Sequence, residues 1–464
     1  MQLTPTTDAD AAQRSAGPGA VLARLNSPLA AGLTAFGGWF IYVLARWRVW
    51  AAGHISLFIM SGVKDYSHPS QMFPPIVHTT SQGYDGQFYY RFARDPFNWN
   101  PTAYGITVDH NYRYTRIGYS LVAWIVSLGG NARLLPTVLV VLNLIFVGVI
   151  GYLGAKLARE SGRHALWGLL FAAYFGLVIS VGRDTSEPLA DACMLGGLLA
   201  YRHSRYVLAA LLVAYGVFTN EPILVLSVAI AVVRLWQFWR RSARPGKPDL
   251  IWVLPGALYV VLELAEKVVV KGTSGGVSDA ASNLTLPFKA LVPGVYRDVK
   301  DMSWTHLGLY NYNVIELIAL GIVVVAALLV IRASSATVYE KAGFAGFLLV
   351  EMIIASGQFW DSTFGDGRTY IDTFLMAVLL LLATPAGAVS GAVSGAVSGV
   401  ASGVSGASSG AVSGVSGAVR RAHASVLDRV FAADRVITNK HLAWIFAPAI
   451  IVLVLVARRH VLHQ

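Results

Sequence analysis

Residues 133–156 read RLLPTVLVVLNLIFVGVIGYLGAK, and this stretch decides the class of fold. No charge interrupts it between Arg133 and Lys156. At a rise of about 1.5 Å per residue, a helix of that length covers the roughly 30 Å of hydrocarbon in a bilayer. Working outward, comparable apolar stretches occur at 29–46, 164–181, 187–202, 204–219, 222–239, 250–270, 313–332, 340–357, 369–384 and 442–458, about eleven spans in all. The chain of 464 residues is 55% hydrophobic and only 13% charged. A soluble domain carries about 25% charged residues, so the deficit excludes a water-soluble body of this size. The expected fold class is all-α, a polytopic transmembrane helical protein.

The apolar segment 117–128 is too short to cross, covering about 18 Å as a helix. It is expected to lie along the membrane surface or to re-enter it. Charge supports that exclusion. With residue 1 cytoplasmic, four basic loops fall on the cytoplasmic side: Lys156 to Arg163, Arg202 with Arg205, residues 234–247, and residues 332–341. That distribution obeys the positive-inside rule, and counting 117–128 as a span would break it. The net charge of +11 is therefore a topology signal, and the scattered basic residues argue against nucleic-acid binding. The single cysteine, Cys193, rules out a disulfide framework and a cysteine metal site.

The expected organisation is a cytoplasmic tail (1–28), a transmembrane catalytic module (29–384), a low-complexity Ala-Val-Ser-Gly linker (385–419), and an amphipathic segment with a last transmembrane helix (420–464). The tail lacks a cleavable signal pattern, so the first span is expected to act as an uncleaved signal. Within the module, outer loops cover 47–132 and 271–312. Loops of that length usually carry function.

Chemistry collects in the outward segments. The first outer loop contains Tyr84-Asp85-Gly86-Gln87-Phe88-Tyr89-Tyr90-Arg91 and then Tyr112-Arg113-Tyr114-Thr115-Arg116. The other outward turns add Arg183-Asp184-Thr185-Ser186-Glu187-Pro188, Thr219-Asn220-Glu221-Pro222, and the stretch from Trp360 to Arg368. A carboxylate near the membrane surface can serve as a general base on a hydroxyl. Arginine gives planar bidentate hydrogen bonds to phosphate, and tyrosine offers a flat face for a sugar ring. Together these groups suit a substrate that is part lipid phosphate and part sugar. Plainer readings exist for each. Asp85-Gly86 is a favoured turn pair, Arg183-Asp184 and Glu187-Pro188 can end and begin helices, Arg113 and Arg116 can bind lipid headgroups, and loop tyrosines and tryptophans can belong to the interfacial belt. Glu263 and Lys267 are spaced for a helical ion pair. Asp191 and Glu351 are carboxylates at membrane depth, where an acid is by default a functional candidate.

An N-terminal span followed by a long outer loop with Tyr84-Asp85-Gly86-Gln87-Phe88-Tyr89-Tyr90 resembles the GT-C superfamily of membrane glycosyltransferases, in a bacterial branch similar to mannosyltransferases. Tyr112 to Ile117, Arg183 to Pro188 and Thr219-Asn220-Glu221 match further motifs of that branch, with Asn220 standing where the branch has Arg. The resemblance covers residues 30–235. It implies a GT-C fold, an extracytoplasmic active site in the cytoplasmic membrane, a polyprenyl-phosphate-linked sugar donor, a hydroxyl-bearing glycan or lipid acceptor, and inversion at the anomeric carbon. It also implies Asp85 as catalytic base. The donor-binding candidates are Tyr112, Arg113, Arg116, Arg183 and Arg368. The substrate-orienting candidates are Tyr84, Gln87, Tyr89, Asp184, Glu187, Glu221 and Trp360. No cofactor is required, although Asp85 and Asp184 would suit a bridging divalent cation. The rival expectations are a lipid or glycan transporter, a class that often shows internal repeats, broken helices and midplane acids, and a non-catalytic subunit with the same fold.

Overall fold

The computed structural model describes residues 25–63, 66–72, 76–79, 83–270, 285–303, 309–353, 366–385 and 434–462. The repeats of the linker beyond 385, residues 271–284 and 304–308 of the second outer loop, and Trp360 lie outside the described residues.

The first long helix, α1 (Pro28–Val49), leads into a folded loop containing α2 (Gly86–Arg94), a small hairpin of β1 (Thr102–Ala103) and β2 (Ile106–Thr107), and α3 (Gly118–Val126). The chain continues through α4 (Leu135–Glu160), α5 (Leu169–Ala172), α6 (Gly176–Gly182), α7 (Glu187–Arg202), α8 (Tyr206–Thr219), α9 (Leu224–Trp239) and α10 (Leu250–Val269). It ends with α11 (Leu291–Asp301), α12 (Leu309–Val330), α13 (Val338–Ile353), α14 (Asp366–Thr369), α15 (Ile371–Leu382) and α16 (Asp434–Leu462). Local sequence sets many of these boundaries. The Ser27 hydroxyl accepts the Ala30 amide at 3.1 Å just before Pro28, a side-chain cap with proline in the first turn. Thr337 and Glu340 cap α13 reciprocally, each side chain accepting the other's backbone N–H, at 3.3 and 2.8 Å.

Among the described residues, six helices are long and apolar enough to cross a membrane: Pro28–Val49, Leu135–Glu160, Glu221–Trp239, Lys247–Val269, Tyr310–Val330 and Leu442–Leu462. A bent pair, Ala165–Ala172 and Gly176–Gly182, makes a seventh if its 67° break lies within one span. The chain is a multi-pass membrane protein of the all-α class, with the β1–β2 hairpin as a minor exception. The other expected spans coincide with α7, α8, α13 and α15, which have 16, 14, 16 and 12 residues and fall short on length. The nine residues of α3 span only about 14 Å, so segment 117–128 does not cross as one helix. Glu263 and Lys267 form no ion pair: Glu263 faces Tyr259 instead.

Packing follows from side-chain size. Gly32 of α1 meets Gly148 and Tyr152 of α4, and a methyl at Gly151 would stand 2.7 Å from the Ala35 methyl. Small residues let two membrane helices approach closely where apolar burial gives no drive between them. Every residue of α15 is buried, making this helix, apolar on nearly all sides, the centre of the bundle. Leu33 and Ile41 of α1 and Val260, Val261 and Leu264 of α10 are instead exposed. Hydrocarbon, not water, is the solvent that suits such faces.

The two ends of the bundle differ. At one end Arg202 of α7 grips Glu340 of α13 with Nε–Oε1 at 2.6 Å and reaches Glu160 of α4 at 3.2 Å. Arg163 donates to the Thr384 carbonyl at 2.6 Å, and Arg234 pairs with Asp249 at 2.6 Å. These contacts gather the basic loops at one end. The folded first loop and the turns after α6 and α8 gather at the other.

Candidate functional site

Two close approaches seat the first loop against the helix ends. Gly86, which opens α2, lies so near the Arg183 carbonyl that no side chain fits, and a methyl there would also stand 2.6 Å from the Ile59 carbonyl oxygen. Gly118, which opens α3, packs in the same way against Thr219 and Phe218 at the end of α8. The loop is thereby fixed between the 183–187 turn and the 219–221 turn.

Asp85, at the N-terminus of α2, is the hub. Its Oδ1 lies 3.0 Å from Nη2 of Arg113 and its Oδ2 accepts from Nη1 of Arg368 at 2.7 Å. Arg368 stands 283 residues away in sequence, and it also approaches Glu187 at 3.3 Å. Arg113 pairs with Asp109, and its guanidinium covers the Phe88 ring at 3.9 Å. Tyr84 completes the group, with the guanidinium of Arg183 4.4 Å and that of Arg368 5.2 Å from its ring centroid. Beside this cluster Arg116 forms a bidentate pair with Glu221 and covers the Tyr112 ring at 4.4 Å. Three arginines, Arg113, Arg116 and Arg368, thus pair with four acids, Asp85, Asp109, Glu187 and Glu221, and a fourth, Arg183, stands over Tyr84 beside them.

Burial pushes the Asp85 carboxyl up, but Arg113 and Arg368 together outweigh it and hold the group well below the usual carboxylate range. Burial also draws the Arg183 guanidinium down to about 10, which leaves it charged at neutral pH. The side chain of Asp85 remains 17% exposed, so a ligand can reach it.

Not every candidate faces this rim. Gln87 is 1% exposed, and its amide oxygen accepts from the Ser67 hydroxyl and, at 3.4 Å, from the Gly62 amide. It closes the loop on itself. Tyr89 is buried, edge-on to Tyr119, with its hydroxyl 2.7 Å from that of Ser186. Asp184 has φ +49° and no exposure. It turns inward toward Asn143 and Arg46, and burial raises its carboxyl well above the usual range. Asp85 and Asp184 therefore belong to different environments, and the described residues contain no group of three or more metal-ligating side chains.

Three contributors carry roles that the sequence does not assign them. Asp109 anchors Arg113 from four residues before it, a spacing visible in the sequence. The Thr185 hydroxyl donates to Glu187. Arg46, fully buried at the end of α1, donates to the Gly182 carbonyl at 3.2 Å and to the His460 carbonyl, under the Trp50 ring at 4.0 Å. Its signal was a cation in the last turn of a span, where unpaired carbonyls collect.

The arrangement offers an ionised carboxylate, several guanidinium groups within reach of one another, and an aromatic face, all at one end of a membrane bundle. No family model, curated protein or solved structure matches this chain.

Proposed function

We propose that the chain is an inverting GT-C-type glycosyltransferase. It moves a sugar from a polyprenyl-phosphate donor to a hydroxyl on a glycan or lipid acceptor, at the extracytoplasmic face of the cytoplasmic membrane. The observation that carries the reading is Asp85 clamped between Arg113 and Arg368 beside Tyr84. A base and phosphate-binding groups at one point are what this reaction needs.

The clamp suggests the order of events. In the unliganded rim the arginines neutralise Asp85, which makes it a poor base. A donor phosphate offers those guanidinium groups a stronger bidentate partner. Once they turn to it, Asp85 regains basicity. The acceptor hydroxyl then attacks the anomeric carbon from the face opposite the phosphate. Its proton passes to Asp85, the C–O bond to phosphate breaks, and the arginines take up the charge left on the polyprenyl phosphate. Glu187 and the Tyr84 ring would hold the sugar, and Arg183 would assist the phosphate. A divalent cation is not needed for this balance.

The same reading takes α7, α8, α13 and α15 as crossings too, giving eleven in alternation. The basic loops then face the cytoplasm, as the positive-inside rule requires, and the acid-rich rim faces out. A thinned bilayer or flanking residues would accommodate their length.

The test is incubation of the purified protein with a panel of polyprenyl-phosphate sugars and a hydroxyl acceptor. Donor consumption with release of polyprenyl phosphate, lost in Asp85→Asn, is the expected result. Unchanged transfer by a well-folded Asp85→Asn protein sinks the base role, and movement of intact donor across the bilayer would favour the transporter.

A further inference from the structure

The chemistry at Asp85 uses neither of the acids that the sequence places at membrane depth, Asp191 and Glu351. The fold sets Asp191 on α7 facing Asp372 on α15, within hydrogen-bonding reach of each other. Asp191 is 2% exposed and Asp372 8%. Neither carboxyl forms an ion pair with a described residue, and Oδ2 of Asp191 and Oδ1 of Asp372 meet no donor.

The described surroundings supply no positive charge. On α7 the neighbours are Glu187, one turn toward the rim, and Cys193. From α13 comes Glu351, itself buried. Thr373 of α15 is fully buried and turned toward Glu351, yet its hydroxyl meets no partner at hydrogen-bonding geometry. Arg368, four residues before Asp372, is turned to Asp85 and Glu187. Ionised carboxylates only accept hydrogen bonds, so two of them can bond each other only through a proton. In a low dielectric without a cation, both cannot be charged at once.

We propose that Asp191 and Asp372 form a proton-binding site, a carboxyl pair that holds one shared proton beneath the Arg368–Glu187 contact. The proton halves the charge that would otherwise compete with Asp85 for Arg368. The pair thereby leaves that guanidinium at the rim, and loss of the proton would draw it inward. The site belongs to the bundle and does not depend on sugar transfer.

Infrared spectroscopy of the full-length protein in lipid nanodiscs tests this, comparing wild type with the Asp191→Asn/Asp372→Asn double variant at neutral pH. The expected result is a protonated-carboxyl C=O component in the wild-type minus double-variant difference spectrum that shifts in D2O, above the bands that Asp184 and the other buried acids give in both. A difference spectrum without that component overturns the proposal. Thermal melts give a second readout, since asparagine keeps the shape of a neutral aspartic acid. A proton held only in the folded state makes stability fall as pH rises above the ordinary carboxylate range. Between pH 6 and 9 the wild-type midpoint should fall more steeply than that of the double variant, and equal slopes would count against the pair. Neither readout involves a donor, so failure here is separable from failure of the transferase reading.

Discussion

The two ends of the bundle use the same kind of contact, an arginine paired with an acid, for different purposes. At the basic end, Arg202 joins α7 to α13 and α4 through Glu340, which is 1% exposed, and Glu160. Each contact there ties helix ends together, and Glu340 also caps its own helix. At the rim, Asp85 is shared between Arg113 and Arg368, and Arg368 is shared between Asp85 and Glu187. These pairs also join helix ends, but the side chain they share, Asp85, stays 17% exposed. At the basic end the shared group is a cation fixed on an acid closed to solvent, which makes structure. At the rim the shared group is an acid open to solvent, and its cations can exchange it for a ligand.

Substitution should separate the two. The largest effect is expected from Asp85→Asn. Transfer should fall at least about 100-fold, the usual worth of a general base, while the melting temperature changes little. Arg113 keeps Asp109 and Arg368 keeps Glu187, so neither cation is stranded. Collapse of the bundle in this variant would erase the distinction between the ends. Next comes Arg202→Ala. It leaves Glu340 charged and buried, and breaking a buried pair from one side costs about 3 kcal/mol. Denaturation should show that loss, with transfer per folded molecule unchanged. A drop in transfer at constant folded fraction would show that the basic end also takes part in the reaction. Gly86→Ala should act between them. The methyl would press on the Arg183 and Ile59 carbonyls and shift the seat of Asp85. Small misplacements of a reacting group can cost up to about 100-fold, and about 10-fold is expected in the transfer assay with a modest loss of stability.

The sequence carried the membrane class plainly, because apolar runs such as 133–156 need no tertiary knowledge to interpret. It also brought Asp85, Arg113, Arg368 and Glu187 into one hypothesis. Span number was less legible, since α8 and α15, at 14 and 12 residues, fall below the length on which such counting rests. Side-chain direction was not legible at all. Arg183 and Asp184 are neighbours, yet the left-handed backbone of Asp184 sends one to the Tyr84 ring and the other inward. Gln87 sits in the same short string as Asp85, but two residues on it is buried within the loop against Ser67 and Gly62. Asp372 drew no notice because its meaning lies in Asp191, which tertiary packing alone puts beside it.

The smallest expected effect is an absence, and it tests the clamp most directly. An unperturbed aspartate titrates near about 3.9, whereas Arg113 and Arg368 hold Asp85 well below that range. A depressed carboxyl contributes stability that is present above its unfolded value and lost only as pH falls through its folded one. From pH 7 down to about 5, the free enzyme should therefore keep Asp85 fully ionised, and kcat/KM, which reports free-enzyme titrations, should show no acid limb from it. Arg368→Gln removes one guanidinium from the clamp, so the limb should move up toward the ordinary aspartate range while Arg113 alone holds the group. An acid limb in wild type above about pH 5 that Asp85→Asn abolishes would mean that the arginines do not serve Asp85 in the working protein, and the contrast between exchangeable and fixed pairs would fail with it.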